Sequence, residues 1–250
     1  MFWGLIQKKN PTEEEVEELK KSLNVFEVPW WTMAMTSVGH ILGEKLGFVK
    51  SAQTLRPVLG NGDPIPMFPY SVIEYLMNMD LSGYDVLEFG AGNSTMFWAP
   101  RVKSVTSLEN DPEWHTTLQA MNLPGAELHL VEKGKMADYA TGLGKKFDVI
   151  SVDCGENRYH PAKASLGMLK EGGFIILDNS EWYPNTSTLL RESGLLQVDF
   201  YDFRPCHHYR TATSLFFDRK FSPKPKGQRM PATPIGGREQ NPLGWDDPEG

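Results

Sequence analysis

From Tyr84 onward, short apolar runs alternate with segments that have the spacing of amphipathic helices. The apolar runs predict seven strands, at residues 85–89, 104–108, 126–131, 147–152, 173–178, 196–203 and 213–218. Strands that alternate with helices favour a parallel sheet covered on both faces. The last two runs are separated only by Arg204 to Ala212, which has no helical pattern. Those two strands are therefore predicted to form an antiparallel hairpin.

The first 80 residues have helical rather than strand patterning. Thr12 begins a capping-box spacing followed by apolar residues on one face, which predicts a first helix. A second helix is predicted to end at Gly47, and a third to begin after Pro69. The residues that the second helix is predicted to turn inward are Val38, Ile41, Leu42 and Leu46. We therefore expect an N-terminal helical cap at 1–80 and an α/β domain at 81–221.

The C-terminal segment 222–250 contains six prolines and five glycines and has almost no apolar periodicity. Such a segment cannot form a core of its own, so it is predicted to be either disordered or laid along a neighbour. Together with the apolar cap, this tail is compatible with a homodimer.

The most informative segment follows the first predicted strand, where Glu88 precedes a turn through Gly90 and Gly92. Glu109 ends the second strand. Strand, glycine turn, helix, strand and acid is an arrangement that holds a nucleoside, because glycines admit the ligand to the backbone and the acid accepts hydrogen bonds from ribose hydroxyls. A dinucleotide site would have a third glycine where Thr95 stands, and Glu88 would repel a pyrophosphate. An ordinary turn without a ligand is the alternative.

The acid–x–Gly–x–Gly run at 88–92 resembles the first motif of the class I S-adenosylmethionine-dependent methyltransferases. The resemblance implies a Rossmann-like seven-stranded sheet whose last strand is antiparallel, with S-adenosylmethionine as cofactor. It places Glu88, Gly90 and Gly92 around the aminoacyl end and Glu109 on the ribose. Ser94 stands where the third glycine of that motif is commoner.

Further cofactor contacts follow from the same resemblance. Asp138 lies near the end of the third strand, where the acid is expected to meet the adenine amino group. Phe68 and Tyr70, in a proline-rich connection, are candidates to cover the methionine moiety, with plain packing as the alternative. Asp153, at the end of the fourth strand, is counted among the cofactor contacts as well.

Oxygen-bearing side chains also follow the fourth and fifth strands, namely Asp153, Asp178 and Asn179. Carboxylate and amide oxygens suit Mg²⁺ or Ca²⁺. The run from Asp153 through Arg158 to Trp182 is similar to the catechol and caffeoyl-coenzyme A O-methyltransferases, which implies that these three residues bind a divalent metal. Glu156 stands where the catechol enzymes have a lysine base. In the alternative interpretation no metal binds, and the Asp-Asn pair caps a loop or orients the substrate.

A base for the acceptor proton has three candidates. His207 and His208 lie in the loop between the sixth and seventh strands, and His160 lies near the end of the fourth. In the alternative interpretation, these histidines are simply exposed to solvent and have no catalytic role. Arg204 and Arg210, in the same region, could anchor a carboxylate or phosphate of the substrate.

The predicted function is S-adenosylmethionine-dependent methylation of a small molecule, with a hydroxyl group as the favoured acceptor. One alternative is aminopropyl or alkyl transfer, for which Glu156 and Glu181 could supply an acidic pocket. The other is a non-catalytic cofactor-binding scaffold.

Composition restricts the classes of partner that the protein is expected to bind. A net charge of −7 without a basic block argues against nucleic acid. No apolar run approaches the length of a membrane span. The two cysteines, Cys154 and Cys206, form neither a disulfide framework nor a zinc pattern, so a cytoplasmic location is expected.

Overall fold

The computed structural model describes Thr12 and residues 28–237. The rest of the first predicted helix and residues 238–250 of the tail lie outside the described residues. Before the sheet come α1 (Trp30–Ala34), which continues into a π-helix (Met35–Lys45), then α2 (Phe48–Thr54) and α3 (Tyr70–Met77). The predicted end at Gly47 and the predicted start after Pro69 both agree with these bounds.

The π-helical segment changes which of its residues face inward. Leu42 and Leu46 pack against the core as predicted, but Val38 is 64% exposed. Because a π-helix bonds each residue to the fifth one along, the spacing of an α-helical face does not hold here. The inward prediction for Val38 was therefore wrong.

The connector between α2 and α3, residues 55–69, packs closely on the π-helix and on α2. A Cβ added to Gly60 would overlap the Glu44 carbonyl, and one added to Gly47, whose φ is +78°, would overlap the Val58 carbonyl. Ser51 Oγ also donates to Val58 O at 2.9 Å. These contacts hold the connector against the helices and fix its position beside the sheet.

Seven strands form one sheet, in the order β3-β2-β1-β4-β5-β7-β6. Strands β1 to β5 are parallel, whereas β7 pairs antiparallel with both β5 and β6. The strands are β1 (Asp85–Phe89), β2 (Ser104–Glu109), β3 (Ala126–Leu130), β4 (Phe147–Val152), β5 (Leu169–Asp178), β6 (Leu196–Phe203) and β7 (Arg210–Phe217). The predicted fold class, a Rossmann-like α/β sheet with an antiparallel last strand, is confirmed.

Helices connect the strands on both faces of the sheet. They are α4 (Asn93–Trp98), α5 (Pro112–Gln119), α6 (Met136–Gly142), α7 (Tyr159–Met168) and α8 (Pro184–Glu192), with a 3₁₀ turn at Ser180–Trp182. Helix α5 begins as the sequence predicts, since the Asp111 carboxylate accepts from the amides of Glu113 and Trp114 at 2.9 and 3.0 Å.

The core lies on both faces of the sheet because alternate strand residues point to opposite sides. In β1, Val86 belongs to the cluster that includes α3 and α4, whereas Leu87 and Phe89 belong to the cluster that includes α6, α7 and α8. The strand order reverses between β1 and β4, and ligands of such sheets bind beyond the carboxyl ends of the strands at this point.

The described part of the tail runs along the cap and the loop before β1. Lys224 O accepts from Asp80 N at 2.8 Å, and Lys226 N donates to Asn78 O at 2.9 Å. Further along, Ile235 N donates to a carboxylate oxygen of Glu74 in α3 at 2.5 Å. Among the residues that the structure describes, no helix has the length and apolar character needed to cross a membrane.

Candidate functional site

A cavity of 750 Å³ opens at the carboxyl ends of β1, β2, β4 and β5. This volume is within the usual range for small-molecule sites, about 300–1,000 Å³. The strand-end loops contribute Gly90, Gly92, Ser94, Glu109, Asp153 and Asn179 to its wall. The connector 55–69 contributes Pro64 and Met67, and the β6–β7 loop contributes Arg204 and His207.

The two glycines of the turn after β1 are needed for different reasons. Gly90 has a φ of +97°, and a Cβ there would lie 2.7 Å from the carbonyl oxygen of Asp153. Gly92 has a φ of 175°, which any residue adopts, and its added Cβ would meet nothing closer than Trp114 Nε1 at 3.9 Å. Gly90 therefore allows β1 and β4 to approach each other, whereas Gly92 leaves space at the cavity wall.

Glu109 is fixed in place by three backbone N–H groups. Its Oε1 accepts from Asn110 and Asp111 at 2.7 and 2.8 Å, and its Oε2 accepts from Ala91 at 3.1 Å. A carboxylate has about four acceptor positions, so Oε2 keeps room for one more donor. The side chain lines the cavity beside the glycine turn, where a ligand hydroxyl would find a preorganised acceptor.

Glu88 lies beneath the turn rather than in the cavity wall, and the residue is only 1% exposed. Its Oε2 accepts from Thr95 Oγ1 and Ser107 Oγ, both at 2.7 Å. Thr95 Oγ1 in turn accepts from Gly92 N at 3.1 Å. Burial raises the pKa of Glu88, although hydrogen bonds from neighbouring side chains lower it. Glu88 thus supports the turn through Thr95, and its contact with an aminoacyl group stays a prediction.

We expect the stability of Glu88→Gln to rise relative to wild type as the pH increases from 4 to 8. A carboxyl whose folded-state pKa is raised binds its proton more tightly in the folded state, so its stabilising effect is lost as pH rises through that pKa. Glutamine does not titrate. Urea denaturation of both proteins at several pH values measures the difference, and a difference that does not change with pH would contradict the buried, proton-binding state of Glu88.

Beyond β4 and β5, two aspartates are paired with two arginines. Arg158 Nη2 donates to Asp153 Oδ1 at 2.8 Å, and its other nitrogens donate to the carbonyls of Cys154 and Asp178. Arg204 Nη1 lies 3.4 Å from Asp178 Oδ2. Burial and the Asp178 carboxyl raise the pKa of Asp153, and the two guanidinium groups lower it.

Asn179 joins this cluster with its amide orientation set by the neighbours. When its nitrogen donates to Asp178 Oδ2 at 2.9 Å, its oxygen accepts from Arg204 Nη1 at 2.6 Å. Asn179 has a positive φ of 49°, a backbone conformation in which asparagine is enriched. Asp178 itself is fully buried, and its Oδ1 accepts from Thr213 Oγ1 at 2.5 Å.

The residues at these strand ends do not fit a divalent metal. Positively charged guanidinium groups already contact the oxygens of Asp153 and Asp178 that were predicted as ligands. Within residues 28–237, no set of three or more His, Cys, Asp and Glu side chains is placed to hold a metal ion. The structure thus gives no support for Mg²⁺ or Ca²⁺, although it does bring the three predicted ligands to one place.

The three predicted bases lie in different surroundings. His207 lines the cavity, and its Nδ1 lies 3.3 Å from the carbonyl oxygen of Pro205. Because a carbonyl only accepts, the ring donates through Nδ1, which leaves Nε2 as an acceptor. His208 packs edge-on against Tyr209, and His160 lies at the start of α7 against Tyr159; neither is in the cavity wall.

Three predicted cofactor contacts are placed away from the cavity. Phe68 and Tyr70 are buried in the core, at 0% and 1% exposure, so it is Pro64 and Met67 of their segment that reach the wall. Asp138 is exposed in the first turn of α6. Their roles stay predictions, without a cavity contact to support them.

Sequence reasoning did not find Trp114 or Arg158. Trp114 Nε1 donates to Ala91 O at 2.8 Å and fixes the turn from the side of α5. The position of Trp114, in the first helical turn after Glu109, was the feature of the sequence that could have indicated this contact. Arg158 lies in the run that resembles the O-methyltransferases, but its spacing does not show that it joins Asp153 to the carbonyl of Asp178, which is 20 residues further along.

A second hollow of 660 Å³ lies beside the first, and Arg158 and Trp182 line both. Its other walls come from the start of α7 and from α8 and include Tyr159, Tyr183 and Asn185. Arg158 also lies over the ring of Tyr183, with its Cζ 4.7 Å from the ring centre. The two spaces are therefore separated by Arg158 and the half-exposed indole of Trp182.

No protein-family model matches this chain, and no curated protein matches it. Solved structures do resemble it. A methyltransferase from Pyrococcus furiosus is 19% identical over 75% of this chain and 100% of its own, with a TM-score of 0.47. A candidate O-methyltransferase from Klebsiella pneumoniae is 16% identical over 68% of this chain and 87% of its own, with a TM-score of 0.48. A precorrin 8w decarboxylase from Methanobacterium thermoautotrophicum is 18% identical over 63% of this chain and 94% of its own, with a TM-score of 0.46. At such low identities and scores the likeness says nothing about activity, which the site itself has to support.

Proposed function

We propose that this protein is an S-adenosylmethionine-dependent methyltransferase that acts on a hydroxyl group of a small molecule. The observation that carries the proposal is Glu109, locked by three backbone N–H groups with an acceptor position left over. It lines the same cavity as Gly92, whose missing side chain leaves space for a ligand. Two such features, at the end of β2 and in the turn after β1, are what a bound nucleoside needs.

In this proposal Glu109 accepts a hydrogen bond from the ribose, and the backbone from Gly90 to Gly92 lies along the aminoacyl end. The cofactor supplies an activated methyl group on a sulfonium. The acceptor occupies the corner of the cavity that Asn179, Arg204 and His207 line. Methyl transfer is an in-line displacement, so the main contribution of the chain is to hold the acceptor oxygen in line with the methyl carbon.

His207 is the proposed proton acceptor. Once Nδ1 donates to Pro205 O, Nε2 is the ring atom that can take the hydroxyl proton. Overall, the O–H and S–C bonds break and a C–O bond forms, which leaves a neutral thioether and a proton for solvent. A small acceptor is also consistent with the net charge of −7, which disfavours a nucleic-acid surface.

Aminopropyl transfer has less support, because the acids that it would need are engaged elsewhere. Glu156 Oε2 accepts from Gly134 N at 2.7 Å, and Glu181 Oε2 accepts from Ala212 N at 3.1 Å. Both carboxylates thus stabilise loops, and neither lines the cavity.

The test is calorimetric binding of S-adenosylhomocysteine to wild type and to Glu109→Ala. Loss of a charge-assisted hydrogen bond of about 1.5–3 kcal/mol lowers the affinity by roughly 10- to 100-fold. Glu113→Gln is the matched control, because Glu113 is an exposed acid in the first turn of α5 outside the cavity wall, and its affinity is expected to equal that of wild type. Failure of the wild-type protein to bind S-adenosylhomocysteine at millimolar concentration would overturn the proposed function.

A further inference from the structure

We propose that Arg204 holds the reacting oxygen of the acceptor as an oxyanion, and that the acceptor is an acidic hydroxyl such as a phenol or enol. This inference rests on the proposed function. It assigns to a guanidinium group of the chain the electrostatic role that a divalent cation would play at the same strand ends.

The first observation is a donor of Arg204 without a partner. The residue is 5% exposed, yet its Nε has no hydrogen-bond partner within residues 28–237. An unsatisfied buried donor costs about 1–3 kcal/mol, more when it is charged. Nε itself is sealed from the cavity, but other atoms of Arg204 line it, so an anionic oxygen bound there would lie beside a guanidinium group whose hydrogen-bonding capacity is not filled.

The second observation is that the rest of the guanidinium is firmly placed. Its Nη1 lies 2.6 Å from the amide oxygen of Asn179, in the orientation set by Asp178, and 3.4 Å from Asp178 Oδ2. Asp178 is held in turn by Thr213. A group held by a buried aspartate and an amide does not have to reorganise when charge develops on a ligand, which is the condition for strong electrostatic stabilisation.

The third observation is the position of a base on the same loop. His207 lines the same cavity, three residues beyond Arg204, with Nε2 as its acceptor. The step balances as follows: the acceptor O–H bond breaks, the proton goes to His207 Nε2, and the electron pair stays on the oxygen beside Arg204. That oxygen then forms the bond to the methyl carbon as the S–C bond breaks. A cation within about 4–6 Å lowers the pKa of an acidic hydroxyl by about 1–3 units, which favours the first step.

The experiment uses 4-nitrophenol as the probe, because its ionised form is coloured. The probe is titrated spectroscopically with full-length protein saturated with S-adenosylhomocysteine. We expect the bound probe to ionise at least about one pH unit below the free probe. In Arg204→Met this shift should disappear, whereas Arg204→Lys, which keeps the charge, should retain part of it. Arg219→Met is the control, since Arg219 is exposed outside the cavity wall and its Nε donates to Gly194 O at 2.9 Å; its shift should equal that of wild type.

Several outcomes would overturn the inference. In the first, the wild-type protein does not bind 4-nitrophenol at millimolar concentration. In the second, it binds the probe as the neutral phenol. In the third, Arg204→Met keeps the full shift in the pKa of the probe. A merely structural role for Arg204 would lower the melting temperature of Arg204→Met and Arg204→Lys alike without any partial retention of the shift in the lysine variant. Binding of S-adenosylhomocysteine is measured on every variant. Its absence in wild type would overturn the proposed function, whereas its presence without probe ionisation would overturn only the role of Arg204.

Discussion

Gly92→Leu is expected to reduce the affinity for S-adenosylhomocysteine by at least about 100-fold while it leaves the free energy of unfolding within about 1 kcal/mol of wild type. The backbone at Gly92 is extended, so leucine fits it without strain, and the nearest atom to an added Cβ is 3.9 Å away. The side chain would therefore fold into place and fill the part of the cavity beside Glu109. Calorimetry and urea denaturation measure the two quantities.

Gly90→Ala, two residues earlier, is expected to have a different primary effect. Alanine there would have a positive φ and would place its Cβ 2.7 Å from Asp153 O, a backbone atom that cannot move without separating β1 from β4. We expect the free energy of unfolding to fall by about 2–4 kcal/mol. Gly142→Leu is the control for both, since Gly142 ends α6 in open space outside the cavity wall, and it should change neither quantity by much.

Either of two results would contradict this division of roles. If Gly92→Leu binds the nucleoside as wild type does, the turn after β1 is not part of the ligand site. If Gly90→Ala is as stable as wild type, the approach of β1 to β4 does not depend on the missing Cβ. The comparison is sharp because the two glycines belong to one turn but differ in backbone conformation and in the space around them.

The turn and the acid were predictable because both depend on short sequence spacing. Gly90, Gly92 and Glu109 follow strands that their own apolar runs define, and those strands are neighbours in the sheet. The sequence also predicts the face of β1 on which the Glu88 side chain lies. Side chains alternate along a strand, so Glu88 shares a face with Val86, on the side that α3 and α4 cover, rather than with the apolar Leu87 and Phe89.

The connector 55–69 shows where local pattern fails. Contacts with the π-helix, such as the close approach of Gly60 to Glu44, decide which of its side chains reach the cavity. The spacing of its apolar residues does not. An aromatic residue in an irregular segment is as well suited to a core as to a ligand, and burial of Phe68 and Tyr70 was therefore not predictable from their positions. Pro64 and Met67 reach the cavity wall instead.

The position of the group formed by Asp153, Asp178 and Asn179 was predicted, but the chemistry of that group was not. The sequence places Asp153 and Asp178 together because β4 and β5 are neighbours, and it suggests a cation between them. It does not show that the cations are Arg158 and Arg204, since Arg204 reaches the site only through the antiparallel return of β6 and β7. The resemblance indicated the acids but not their ionic partners, because Arg204 comes from a distant loop.

Arg158→Met is expected to lower the free energy of unfolding by about 3–5 kcal/mol near neutral pH, because removal of a charged donor leaves its acceptors at the ends of β4 and β5 without a partner. Arg158 is 7% exposed and donates to Asp153 and to the carbonyls of Cys154 and Asp178, so the ends of β4 and β5 lose a shared donor. Urea denaturation measures the loss. Arg191→Met is the matched control, since Arg191 is exposed on α8 and, within the described residues, its guanidinium group hydrogen-bonds only the side chains of Gln197 and Thr188; the change there should stay within about 0.5 kcal/mol.

The pH dependence of that loss distinguishes a charge effect from lost packing. Arg158 lowers the pKa of Asp153 against burial and Asp178, so in Arg158→Met the folded-state pKa of Asp153 rises further. Protonation then relieves the unpaired charge as the pH falls, and the gap between wild type and variant should narrow from pH 8 to pH 5. A gap that stays constant with pH would mean that Arg158 acts through its packing on Tyr183 and not through its charge on Asp153.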